Sequence, residues 1–155
     1  MEKQEGHAMQ GGYQRMAVEL GIDFVIMYFV MYTMIATVAH LHLNINNLYM
    51  TLMMLSPMAI VMLLSMRSMF PSRQLNWILI VGAMLVFGAS LAGMRTQAAV
   101  GNKGLLTAMI PHHSGAILMC ERAALTDPEI QALCAKIIPA QRDEIARMEQ
   151  MLKRY

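Results

Sequence analysis

Long apolar runs fill most of the chain between residues 22 and 93. Residues 24–66 contain no Asp, Glu, Lys or Arg, and a further apolar run follows Arg73. A helix that crosses the hydrocarbon core of a bilayer needs about 20 such residues. The stretches "HLHLNIN" and "RSMFPSRQ" supply the polar interruptions between the runs. The pattern therefore predicts three membrane crossings, over residues 22–39, 47–66 and 75–93.

Beyond residue 94 the pattern becomes amphipathic. Apolar positions recur at helical spacing over residues 105–120 and again over residues 130–152. Between them, Asp127 can cap a helix that starts at Pro128. We expect an antiparallel helical hairpin that turns near Asp127. The predicted fold is all-α, with a cytoplasmic segment 1–21, a three-span region 22–93 and an extramembrane hairpin domain 94–155.

The composition is that of an integral membrane protein, with 57% hydrophobic residues, 14% charged residues and 19 Met. The formal net charge of +2 is small, and no run of Lys or Arg is interleaved with aromatic residues. We therefore expect the lipid bilayer as a partner and no nucleic acid. The chain has no Gly-rich phosphate loop and no charge in the middle of a predicted crossing, so active pumping is disfavoured.

The distribution of cations predicts the orientation in the membrane. Four of them precede the first crossing or lie between the second and third: Lys3, Arg15, Arg67 and Arg73. The loop after the first crossing has none, so the positive-inside rule puts the N-terminus in the cytoplasm and the hairpin outside. Arg95 and Lys103 on the outer side weaken this signal. In this orientation His40 and His42 share a compartment with His112 and His113.

An alternative interpretation treats the first apolar run as a cleaved signal peptide that ends near "ATVA". Such a leader would carry Glu2, Glu5 and Glu19 where signal peptides have a basic region. We therefore favour a membrane-spanning helix.

The predicted turn matches residues across the hairpin. Positions equidistant from Asp127 lie at the same height, which pairs Cys120 with Cys134, His113 with Gln141, and Met109 with Ile145. Helical side chains lean toward their own N-terminus, and the two helices run in opposite directions. We therefore expect His113 to approach Glu144 rather than Gln141, and Met109 to meet Met148.

His112 points elsewhere, because adjacent helical residues diverge by roughly 100°. His112 could serve a second site with Met119, which follows seven residues later on nearly the same side of the helix. His40 or His42 from the loop would complete that site. Pro111 frees the carbonyl of Thr107 and is expected to bend the helix at the histidine pair.

Thioether and imidazole side chains together are a donor set suited to copper, Cu(I) more than Cu(II). Zinc is less favoured, since it usually brings more Cys or a third His. In this interpretation His113, Met109 and Met148 bind one ion, and Glu144 either binds it or orients the imidazole. The alternative is that these Met residues are core filler and that the histidines form surface hydrogen bonds.

The cysteines allow two interpretations. Their equal distance from the turn makes a Cys120–Cys134 disulfide plausible in an oxidising compartment, and we prefer it slightly. In the other interpretation they form a redox pair, or Cys120 binds copper as a thiolate.

Methionines recur every fourth residue along the second crossing, at Met50, Met54, Met58, Met62 and Met66. They are either a ladder of soft donors for Cu(I) or, as we favour, flexible packing residues. Gly82, Gly88 and Gly93 on the third crossing favour close helix packing and self-association.

The stretches "MIPHHSGAILMC", "DPEIQALC" and "IIPAQRDEIARMEQML" resemble the domain of unknown function 305 family. The resemblance covers residues 105–152, about a third of the chain. It implies a ferritin-like helical bundle in an exported or membrane-anchored bacterial protein, and some members of the family are linked to copper binding and tolerance. We expect oligomerisation to complete the bundle. Where an acidic residue and a Phe are common in the family, Asn102 and Leu105 stand here. The metal-associated positions that it implies are Met109, His112, His113, Met119 and Met148, supported by Gln141 and Glu144.

We therefore expect a bacterial inner-membrane protein whose outer hairpin binds copper and exchanges it with a donor or acceptor protein. Catalysis is unsupported by the residues. One rival function is a metal-dependent redox enzyme that uses the histidine pair with Cys120 and Cys134. The other is a metal-free oligomeric membrane scaffold.

Overall fold

The computed structural model describes the backbone of residues 2–155 and the side chains of residues 11–155. The described chain is all-helical, as predicted. The first ten residues of the predicted segment 1–21, including Lys3, lie outside the described side chains. The five helices are α1 (Glu2–Val30), α2 (Ile45–Ser65), α3 (Arg73–Thr96), α4 (Asn102–Arg122) and α5 (Pro128–Leu152).

In the described part of the chain, three helical segments are long and apolar enough to cross a membrane: Gly11–Met34, Ile45–Ser65 and Arg73–Thr96. Their number agrees with the predicted membrane protein. The first segment starts at Gly11, about ten residues before the start of the predicted crossing 22–39. It ends earlier because α1 stops at Val30, a 3-10 turn follows over Met31–Met34, and Ile35 is extended.

Helices α1, α2 and α3 belong to one compact unit, Met1–Phe29 and Leu48–Ala98. Met16, Leu63 and Phe70 are buried together in it. Gly12 lies against the connection between α2 and α3, because a Cβ there would be 2.5 Å from the Met69 carbonyl oxygen. Any larger residue at position 12 would push this connection away from α1.

Tyr49 joins α2 to the end of α3 in the same unit. Its hydroxyl donates to the Ala98 carbonyl at 2.7 Å, and a Cβ on Gly93 would lie 2.9 Å from the tyrosine ring. Gly93 therefore serves close packing, as predicted for the glycines of the third crossing. No Cβ contact within 4 Å would arise at Gly82 or Gly88.

The second compact unit comprises Val30–Asn47 and Ala99–Tyr155. Helices α4 and α5 form the predicted hairpin, and the Asp127 carboxylate caps α5 by accepting from the N–H groups of Glu129 and Ile130. The buried apolar core of the hairpin is Leu106, Ile110, Ile117, Ile145 and Met148. Residues 31–44, here called the first loop, pack against α4 in the same unit.

Tyr32 and Asn44 tie the two ends of the first loop together. The buried Tyr32 hydroxyl donates to the His42 carbonyl at 3.0 Å and accepts from the Asn44 side-chain amide at 3.1 Å. The side-chain oxygen of Asn44 accepts a hydrogen bond from the backbone N–H of Asn47 at 2.9 Å, which caps the start of α2. The loop is thus a closed, hydrogen-bonded structure.

Candidate metal site

His113 and Glu144 meet across the hairpin. Nδ1 of His113 lies 3.0 Å from Oε2 of Glu144, within ion-pair distance although outside hydrogen-bond geometry. The histidine side chain is 13% exposed and the glutamate 51%. Gln141 donates to the same Oε2 at 3.3 Å. The expectation that His113 approaches Glu144 rather than Gln141 is confirmed.

Met109 and Met148 lie at the same helix interface. Met148 is a buried member of the hairpin core, and the partly buried Met109 packs against that core. Both side chains therefore lie along the α4–α5 interface, on the helices that carry His113 and Glu144. Each can serve as packing and as a donor, since a thioether is both apolar and a soft ligand.

His112 is exposed, and its ring centroid lies 6.1 Å from that of His113 with the ring planes 59° apart. It makes no hydrogen bond or ion pair among residues 11–155. Met119 is also exposed, with 55% of its surface accessible. The structure therefore assembles no second site around these two residues through polar contacts.

His40 contacts α4 through Ser114. The fully buried Ser114 hydroxyl accepts from the N–H of Ala36 at 2.8 Å, and the His40 Nδ1 lies 2.8 Å from the same oxygen. A Cβ on Gly115 would be 3.3 Å from the Met34 carbonyl oxygen, so the first loop approaches α4 closely there. His40 therefore lies beside the helix that carries the histidine pair, in contact with Ser114.

Ser114 and Gly115 are the residues that the sequence analysis missed. The signal was available, because two small residues directly follow the histidine pair and share the buried face of α4 with Ile110 and Ile117. Small residues on an otherwise bulky buried face indicate the close approach of another segment.

His42 also lies in the first loop, but its side chain makes no hydrogen bond or ion pair with α4. Its Nε2 is buried and has no hydrogen-bond partner in the described part of the chain. Its backbone carbonyl is held by Tyr32 and Asn44. The structure therefore brings His40, and not His42, to the hairpin through a side-chain contact.

Cys120 and Cys134 form a disulfide between α4 and α5, with their Cα atoms 5.3 Å apart. The preferred interpretation of the two cysteines is confirmed. With both sulfurs in the disulfide, neither is a thiolate that could bind copper. Next to it, Arg142 donates to Glu121 at 2.7 Å across the same helices.

Comparison with known proteins gives the family. The model of the family described as "Domain of unknown function (DUF305)" matches residues 85–152. An uncharacterized protein of Acanthamoeba polyphaga mimivirus is 30% identical over 118 residues, which cover 75% of this chain and 76% of the viral protein. The chain belongs to the DUF305 family. No solved structure matches it.

The DUF305 match extends the region of resemblance from residue 105 back to residue 85, inside α3. It contains both helices of the hairpin and all predicted site residues except His40 and His42. The contact between Ser114 and His40 thus joins the DUF305 region to a segment that precedes it.

The side chains of the DUF305 hairpin determine which metal ion would suit it. Within residues 11–155, no group of three or more His, Cys, Asp or Glu is placed to hold a metal ion. Met109 and Met148 lie on the same two helices, and their thioether sulfurs would be further donors for an ion at His113. That is a weak set for zinc or for hard cations and a suitable one for Cu(I).

Proposed function

We propose that this protein is a membrane-anchored copper-binding protein that handles copper or confers tolerance to it through the interior of its hairpin. The observation that carries the proposal is the contact between His113 Nδ1 and Glu144 Oε2. Histidines that bind metals almost always direct their other ring nitrogen toward a carboxylate, a carbonyl or water. With Nδ1 facing Glu144, Nε2 of His113 is the nitrogen left for a metal.

The location of the methionines supports copper over other metals. Met109 and Met148 belong to the same interface as His113, and soft thioether donors select Cu(I). Glu144 then orients the imidazole and supplies a compensating negative charge. Gln141, in the preceding turn of α5, donates a hydrogen bond to the Glu144 carboxylate. His112, at the exposed edge, provides an additional donor for copper entering or leaving the site.

The membrane anchor determines where copper is handled. Three membrane-length helices precede the hairpin, and the first loop packs on α4. With Arg67 and Arg73 on the cytoplasmic side, the first loop and the hairpin lie outside the bacterial cytoplasmic membrane. There an oxidising environment suits the Cys120–Cys134 disulfide.

Self-association completes the bundle in this proposal. A two-helix hairpin leaves apolar side chains uncovered, among them Leu105 on α4 and Ile130 and Leu133 on α5, each about half exposed. Ferritin-like bundles need four helices, which two hairpins would supply. A copper donor or acceptor protein would then contact the exposed His112.

Elemental analysis of the detergent-purified protein tests the proposal. The protein is loaded with Cu(I) under ascorbate, which reduces copper but spares the disulfide, and is then desalted. We expect bound copper in the wild type and its loss in His113→Gln, with a smaller effect in the matched neighbour His112→Gln. No bound copper in the wild type, together with full stability and assembly of the double variant, would favour the metal-free scaffold.

A further inference from the structure

A cleft opens where α2 ends and α3 begins. It has a volume of about 490 Å³. Its walls are apolar toward the helices and basic toward the connection between them. The residues that matter for its chemistry are Leu63, Leu64, Arg67, Arg73, Trp77 and Ile80.

Neither arginine of the cleft forms an ion pair with a residue from 11 to 155. The Nε–H of Arg67 donates to the Leu64 carbonyl at 3.2 Å, which holds the side chain in place. Its terminal amino groups are left to contact a ligand. Arg73 makes no hydrogen bond or ion pair with any residue from 11 to 155. Among residues 11–155, no acidic side chain lines the cleft. Two guanidinium groups without a carboxylate form a binding site suited to phosphate, which they can contact in a bidentate manner.

The polar wall of the cleft is fixed by other contacts. Asn76 donates to the Phe70 carbonyl at 2.8 Å and accepts from the Tyr13 hydroxyl at 2.7 Å. The ring of Tyr13 lies 5.2 Å from that of the buried Phe70. Because these residues contact one another, this wall of the cleft is preformed. The two arginines are then the groups that would bind a ligand.

The position of the cleft identifies the source of the phosphate. α2 and α3 are both long and apolar enough to span a membrane, so their connection lies at the membrane surface. Trp77 is 66% exposed, and an indole at this depth is typical of the interfacial region. Leu64 and Ile80 continue the cleft along the helices, where an acyl chain would run.

We propose that this cleft binds the headgroup of an anionic phospholipid, with Arg67 and Arg73 on the phosphate and Trp77 at the glycerol level. The site requires only that α2 and α3 cross a membrane, and it does not depend on copper binding by the hairpin. It gives the protein a preference for anionic lipid at one end of its membrane region.

Trp77 makes the proposal measurable, because it is the single tryptophan of the chain. The protein is reconstituted into phosphatidylcholine vesicles that contain increasing amounts of dibrominated phosphatidylglycerol or, in parallel, dibrominated phosphatidylcholine. Bromine quenches tryptophan fluorescence on contact. We expect the anionic lipid to be preferred on the order of fivefold or more, as cations at a membrane surface provide.

Charge variants establish which residues cause the preference. In Arg67→Gln/Arg73→Gln, both brominated lipids should quench Trp77 fluorescence equally. Arg95→Gln, which removes a cation outside the cleft, should behave as the wild type. Arg67→Lys/Arg73→Lys keeps both charges and should retain part of the preference, which separates a lost site from a lost fold. No preference in the wild type, or equal losses in the Arg95 and cleft variants, would overturn the proposal.

Inorganic phosphate distinguishes a lipid site from a soluble-anion site. At matched ionic strength, millimolar phosphate should leave the lipid preference unchanged. If phosphate alone abolished the preference and shifted Trp77 emission in lipid-free detergent, the site would bind a soluble anion and the headgroup assignment would be wrong.

Discussion

The Nδ1 of His113 lies 3.0 Å from the Oε2 of Glu144, on the opposite helix of the hairpin. The histidine is mostly buried and the glutamate is half exposed. This arrangement fixes which edge of the imidazole is available, and the copper-binding proposal depends on it.

Glu144→Gln should weaken copper binding without unfolding the hairpin. The substitution keeps the shape of the side chain and removes the charge that faces His113. Loss of such an orienting carboxylate typically costs about 10- to 100-fold in metal affinity. A Cu(I) competition titration against a coloured chelator measures the change.

The matched control for Glu144 is its exposed neighbour. Asp143→Asn removes a negative charge one residue away and should leave the affinity unchanged. If both variants weakened binding equally, the effect of Glu144 would be one of general charge and not of orientation.

Met148→Leu should reduce copper binding at nearly constant stability. Leucine fills a similar volume, and such exchanges usually cost less than about 1.5 kcal/mol in the free energy of unfolding. Met151→Leu, one turn further on α5 and exposed, should retain copper. Unchanged copper content in Met148→Leu would assign Met148 to packing alone.

Ser114→Ala should detach the first loop from α4. The change leaves the Ala36 N–H and the His40 ring without their shared partner, and an unsatisfied buried donor costs about 1–3 kcal/mol. Thermal unfolding in detergent should show a lower midpoint than for the wild type. Ser68→Ala, an exposed position, is the control, and an equal midpoint in both variants would show that the loop does not depend on Ser114.

Cys120→Ser/Cys134→Ser should lower stability and leave copper binding intact. The disulfide spans 14 residues, and opening a loop of this size costs about 3 kcal/mol in the chain-entropy model. Thermal unfolding and elemental analysis on the same samples separate the two effects. Loss of copper in a variant that still folds would indicate that the cysteine sulfurs bind the metal.

The sequence predicted the hairpin because its signals are local. Apolar spacing gives both helices, and Asp127 before Pro128 marks the turn, so the register follows from counting residues outward. Once the register is known, the lean of helical side chains brings His113 to Glu144.

The docking of the first loop could not be predicted in this way. Ala36 and Ser114 are 78 residues apart, and a bond from a backbone N–H to a side chain leaves no periodic trace in the sequence. The apolar run continues beyond Val30, whereas α1 ends there and the 3-10 turn that follows packs against α4.

X-ray absorption at the copper edge tests the central claim most directly. The sample is the Cu(I)-loaded Cys120→Ser/Cys134→Ser protein, in which methionine is the only source of protein sulfur. We predict a first coordination shell that contains both sulfur and imidazole nitrogen, with the nitrogen signal reduced in His113→Gln. A shell of nitrogen and oxygen alone, or no bound copper, would contradict a site built from His113 and the hairpin methionines.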